Sequence, residues 1–139
     1  MFTRGVSKEV ITVTKAADEN VTNSSTLQND DHLLALVAAF QKYLVTVYLL
    51  GLSNAARAIK FGFYAPAGAT LSWSYGEALT LASTQLFSLS AVLQFTSVTG
   101  ILTMSTTAGI FGVRWAQNAA DATIQTIKSG SVIRVEKIG

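Results

Sequence analysis

Residues 41–69 read QKYLVTVYLLGLSNAARAIKFGFYAPAGA. This stretch decides the fold: it predicts two long strands joined by a small-residue turn and closed by a Pro-Ala-Gly corner. In the first strand Tyr43, Val45, Val47 and Leu49 point one way and Leu44, Thr46, Tyr48 and Leu50 the other. Enrichment in β-branched and aromatic residues favours strand over helix. A strand apolar on both faces is one covered on both faces. In a chain with little helix, the second cover can be another subunit. In the partner strand Ile59, Phe61 and Phe63 alternate with Lys60, Gly62 and Tyr64, so one face goes to a core. Asn54-Ala55-Ala56 marks the reversal into a hairpin, and Pro66 followed by Gly68 ends the second strand.

The chain outside this pair continues the pattern. Its 139 residues suffice for one domain with a real core. Val10, Ile11 and Val13 make a first strand after an arm at residues 1–8 that carries Phe2, Arg4 and Lys8. Residues 15–31, KAADENVTNSSTLQNDD, are polar, with room for one brief strand at 25–28 and a turn at Asn29-Asp30-Asp31. Residues 32–38 read as strand, with a short helix as the competing reading. Strands follow at 70–75, where Leu71, Trp73 and Tyr75 share a face, and at 86–93 and 95–104. Further strands at 110–117, 123–128 and 131–138 are separated by turns at 106–109, 118–121 and Ser129-Gly130. About eight short, turn-punctuated strands predict an all-β antiparallel sandwich or jelly roll over residues 9–139.

Composition narrows the possible roles. Half the residues are apolar and only 13% are charged, about half the usual share. Between Ala78 and Val113 there is no Asp, Glu, Lys, Arg or His. Ser, Thr and Gln thread that stretch, so no continuous apolar run of membrane-spanning length survives. Charge depletion is instead the compositional mark of an interface core. Leu86, Leu93 and Phe95 are therefore expected at a subunit interface, together with Tyr43, Val45, Val47 and Leu49 of the first long strand. The absence of cysteine excludes disulfides and thiolate chemistry. The N-terminus lacks the apolar core of a secretory signal, so export by that route is not expected. A net charge of +2, with scattered basic residues, argues against nucleic acid.

Three segments carry a further signal. KAADENVTNSSTLQNDDHL, IKFGFYAPAGATLSW and AGIFGVRWAQNAADATIQTIKSGSVIRVEKIG resemble small tailed-bacteriophage virion proteins. Those proteins share a "TADE…TLqnDdhL" opening, an "iKf.f.aPaGAt..W" middle and a "WAQN…gS.irveriG" close. The likeness runs from about Thr14 onward, departs at LLALVAAFQ (33–41), and its motifs are structural rather than catalytic. It implies a virion β-domain of the kind found in head decoration or in tail fibres and tail tips. A domain with only a short arm suits a decoration (cement) protein better than a fibre segment. On that reading the partners are copies of itself, as a homotrimer, and the major capsid protein. Capsid contact would fall to Phe2, Arg4 and Lys8 in the arm and Asp18 and Glu19 in the polar loop, since arms and loops can order on binding. The other reading is a receptor-binding module with Trp73 and Tyr75 as a platform for a host glycan.

Catalytic and metal chemistry finds little support. Asp30-Asp31-His32 is the one place where acids meet the sole histidine, but neighbours in a strand point to opposite faces. Asp18-Glu19 are side by side on a polar loop, whereas acid–base work needs two carboxyls across a cleft. No Gly-x-Ser-x-Gly elbow and no Gly-Lys-Ser/Thr phosphate loop occurs. The expectation is a protein without cofactor, metal or catalytic residues.

Overall fold

The computed structural model describes residues 9–74 and 78–138, and forms no helix among them. The described residues form twelve strands: β1 (Val10–Thr14), β2 (Glu19–Val21), β3 (Gln28–Val37), β4 (Lys42–Ser53), β5 (Arg57–Tyr64), β6 (Thr70–Ser74), β7 (Ala78–Thr80), β8 (Gln85–Leu89), β9 (Gln94–Thr103), β10 (Gly109–Gln117), β11 (Gln125–Ile127) and β12 (Val132–Lys137). The larger sheet runs β1-β12-β4-β9-β6-β7, and the smaller runs β3-β10-β5-β8. Every pairing is antiparallel.

Twelve reduces to eight by geometry. β12 pairs with β4 along Tyr43–Tyr48 and β11 along Gly51–Ser53, so both lie on the same edge of one long strand. β1 and β2 follow them in turn, on β12 and β11. Between the halves, residues 128–131 step out of the ladder but stay tied to β4: the Lys128 amide donates to the Leu50 carbonyl, and the Leu50 amide to Ser131 Oγ. The β6–β7 hairpin is an addition that widens the larger sheet. What remains is β1-β12-β4-β9 facing β3-β10-β5-β8, with the chain crossing between sheets at nearly every connection. That is the jelly-roll arrangement of two Greek keys.

The predicted hairpin of the two long strands does not form. β4 belongs to the larger sheet and β5 to the smaller, and residues 54–56 cross between them. Each strand has one strongly apolar face, Tyr43, Val45, Val47 and Leu49 on β4 and Ile59, Phe61 and Phe63 on β5, all buried. Facing one another across the core removes both from water, which edge-to-edge pairing in one sheet would not do. Phe111, Val113 and Trp115 on β10 and Ile133 and Val135 on β12 complete that core. Within it Phe63 stacks on Phe111 with centroids 5.4 Å apart and meets the Trp73 ring edge-on at 5.0 Å. Gly100 on β9 lies under that indole, where a Cβ would stand 2.8 Å from the Trp73 Cβ.

Other differences are local. The brief strand of the polar segment is Glu19–Val21 rather than 25–28, because it finds β11 as a partner. Asn29, Asp30 and Asp31 are not a turn but belong to β3. The strand expected at 86–93 ends at Leu89, where Ser90 Oγ accepts from the Val92 amide and from Gln94 Nε2 and rounds the chain into β9.

Candidate functional site: an uncharged sheet face and a buried lysine

The outer face of the larger sheet is assembled from the residues that alternate with the core. On β4 these are Leu44, Thr46, Tyr48 and Leu50, which lie opposite Ile101, Thr99, Ser97 and Phe95 of β9. β6 continues the surface with Thr70, Ser72 and Ser74. Across β1, β12, β4, β9 and β6 the outward positions carry only Lys42, at one end, and Arg134 and Glu136, which pair with each other at 3.1 Å. The Tyr48 and Phe95 rings stack with centroids 6.0 Å apart, although they are 41% and 60% exposed. Hydroxyls and apolar groups, with Lys42 the one unbalanced charge, make up a broad surface. Its composition is that of an interface centre rather than of a solvated face.

This geometry sorts the residues singled out from sequence. Phe95 and Leu93 are exposed at the end of that surface, while Leu86 is exposed on the other side of the molecule, on the smaller sheet. Tyr43, Val45, Val47 and Leu49 are inside the chain's own core, so they are corrected from interface to interior; their outward neighbours form the surface instead. Trp73 is likewise no platform: it is 2% exposed, and its Nε1 donates to the Thr80 carbonyl at 2.8 Å. Phe2, Arg4, Lys8 and Tyr75 lie outside the described residues. Asp18 is exposed and accepts from Lys128 Nζ at 2.7 Å and from the Ser129 amide at 2.8 Å, which holds its carboxyl below the ordinary value.

Glu19 belongs to a second feature that sequence reasoning did not find. Lys15 follows β1 at the step-out of the ladder, bonded through its backbone to Ser131 and Gly130. Its side chain turns into the sandwich and is fully buried. There Nζ is 2.9 Å from both oxygens of Asp30, 2.8 Å from Glu19 Oε1 and 3.2 Å from His32 Nδ1. An ammonium has only donors, so the imidazole Nδ1 accepts. Asp30 is equally enclosed, because β3 bulges around it: Val113 alone on β10 spans Asp30, Asp31, His32 and Leu33. The bulge leaves the His32 and Leu33 amides without a strand partner, and Asp30 Oδ1 accepts both at 2.9 Å. Trp115 Nε1 donates to Oδ2 at 3.0 Å.

Glu19, Asp30 and His32 have ligand atoms within 4.8 Å of one another, a spacing suited to a metal ion. The Lys15 ammonium stands among all three, so the position a cation would take is filled by the chain's own charge. The signal in the sequence is an isolated lysine in a polar segment, which reads as solvated until the fold encloses it. On the smaller sheet a cavity of about 350 Å³ is lined by Tyr64, Leu81, Ala82 and Arg114 among others. Its polar side chains are Tyr64 and Arg114.

No protein-family model matches the chain, and no curated protein matches it. Solved structures give slight likenesses. They include infectious bursal disease virus Gt strain, at 13% identity and a TM-score of 0.31, covering 94% of this chain and 41% of that one. The Gx strain of the same virus aligns at 12% identity and a TM-score of 0.28, over 94% and 40% of the two chains. This chain thus spans about two fifths of those chains' length. Likeness of this degree has no bearing on what the chain does.

Two outcomes are expected. Wild-type chain sediments as a closed oligomer and Phe95→Glu as a monomer, with fold stability changed by no more than about 0.5 kcal/mol; a monomeric wild type would remove the interface. Lys15→Met strands a buried carboxylate and lowers the free energy of unfolding by about 3–5 kcal/mol in urea titrations. A loss below about 1 kcal/mol, the scale of a surface pair, would contradict the enclosure of this one.

Proposed function

We propose that this chain is a non-enzymatic structural component of a virion, acting as a decoration (cement) protein on a tailed-bacteriophage head. The observation that carries the reading is the uncharged outer face of the larger sheet. A surface of that breadth, bearing only Lys42 and the Arg134–Glu136 ion pair, suits burial against further copies of the chain, in a homotrimer. The architecture is one that viral capsid domains use repeatedly, and the three segments that resemble phage virion proteins point the same way. The mechanism is mechanical. Each oligomer bridges neighbouring copies of the major capsid protein and adds cohesion against internal pressure, with residues 1–8 and the loop around Asp18 reaching the lattice.

Receptor recognition through a host glycan is the weaker reading, since its proposed aromatic anchor Trp73 is occupied within the core. Neither reading calls on nucleic acid or a membrane; among the described residues no helix is long and apolar enough to cross one.

The test is a partition experiment with fluorescently labelled protein, offered separately to cognate heads stripped of it and to host cells. Saturable uptake by heads, in fixed ratio to the major capsid subunit, is the expected result. Uptake by cells alone would move the function to receptor recognition, and uptake by neither would reject both.

A further inference from the structure

Lys15 and Asp30 meet where the two sheets come closest to being joined. β1 and β3 are edge strands of opposite sheets, and these two side chains close the gap between them. We propose that the folded chain joins Lys15 Nζ to Asp30 Cγ in an isopeptide bond, a covalent staple across the sandwich made without any other protein. The inference stands on this cluster alone and does not depend on the virion reading.

Four features of the cluster favour amide formation over a permanent ion pair. First, Nζ sits 2.9 Å from both carboxyl oxygens and both side chains are fully buried, so the amine is held beside the carboxyl group it would attack. Second, the His32 and Leu33 amides both aim at Oδ1, which is where negative charge gathers when the carbonyl carbon becomes tetrahedral. Third, Oδ2 carries a different donor, the Trp115 indole, so the two oxygens are not equivalent: Oδ1 is held by two backbone amides and Oδ2 by a single side-chain N–H besides the amine. Fourth, Glu19 Oε1 accepts from the amine at 2.8 Å, as a general base must, and Glu19 is the one partly exposed carboxylate of the cluster.

The step balances without a co-reactant. In the resting pair the amine is an ammonium and cannot attack. One proton passes from Nζ directly to Oδ2, 2.9 Å away, giving the minor form, a neutral amine beside a neutral acid, from which attack starts. The Nζ lone pair forms the N–Cγ bond while the carbonyl electrons move onto Oδ1, between the two amides. Glu19 removes a second proton from nitrogen and delivers it to Oδ2. The Cγ–Oδ2 bond breaks with its electron pair, Oδ1 regains its double bond, and water leaves on the open side, past Glu19. An ammonium and a carboxylate have become an amide and one water, and Glu19 is unchanged.

The decisive experiment is the intact mass of purified full-length chain in denaturant. The expected mass is lighter by one water than the sequence requires. Tryptic digestion then yields a branched peptide with Lys15 and Asp30 joined and no cleavage after Lys15. Glu19→Gln is expected to retain the full mass after folding, or to link more slowly by on the order of 100-fold. Acid gives an independent readout. In an unlinked chain burial pushes the Asp30 carboxyl up, but Lys15 and the His32 and Leu33 amides more than offset this and hold it below the ordinary 3.8. Its contribution is thus complete above that value and is lost as pH falls below it. An amide has no such titration, so wild type keeps stability below about pH 4 that Glu19→Gln loses. A wild-type chain of full sequence mass, cleaved by trypsin after Lys15, would overturn the proposal. Linkage of Glu19→Gln at the wild-type rate would overturn the role given to Glu19.

Discussion

The structure depends on one buried charge meeting another. Two sheets pressed face to face gain from apolar burial wherever they touch, but at the side bordered by β1 and β3 the core runs out. There the chain places Lys15 and Asp30, each wholly enclosed. Taking two ions out of water is costly, and a pair of this kind is tolerated only when its remaining hydrogen-bonding capacity is also met. It is met here: Asp30 accepts two backbone amides and an indole besides the ammonium, and Lys15 finds Glu19 and His32. The bulge of β3, the inward turn of the chain after β1 and the position of Trp115 are three consequences of one contact.

The two faces of β4 do different work. Tyr43, Val45, Val47 and Leu49 fill the core, while Leu44, Thr46, Tyr48 and Leu50 build the uncharged surface with β9. An apolar strand in the middle of a wide sheet needs two covers. The smaller sheet supplies one, and the proposed neighbour in the assembly supplies the other. A virion component works under sustained load, and a staple between the sheets would suit that duty. Two sheets joined only by packing can slide or open at an edge, whereas sheets joined by an amide cannot part there.

Much of this was legible in the sequence, and what was not has physical reasons. Alternation with period two identified the inward residues Ile59, Phe61 and Phe63 of β5, because the other face of that strand carries Lys60 and Tyr64. The jelly roll followed from counting such strands. Pairing was not legible: the small-residue link at 54–56 fits a hairpin and a sheet-to-sheet crossing equally well, and only the packing of two apolar faces decides between them. Serines flanking Trp73 mark the outer positions of a strand without telling how deeply the inner ones are covered. Asn29-Asp30-Asp31 suits a turn and a bulge equally, and what distinguishes them is a lysine fifteen positions before Asp30. Long-range charge pairing leaves no local periodicity to read.

The measurement that goes most directly to this central contact is hydrogen exchange at the His32 and Leu33 amides. Neither has a residue of β10 opposite it, and both donate to the enclosed carboxyl oxygen of Asp30. If that contact holds the sheets together, the two amides exchange only on global unfolding, as slowly as those in the middle of β4. Exchange at the rate of an exposed loop would mean that the bulge opens on its own and that the fold does not rest on it.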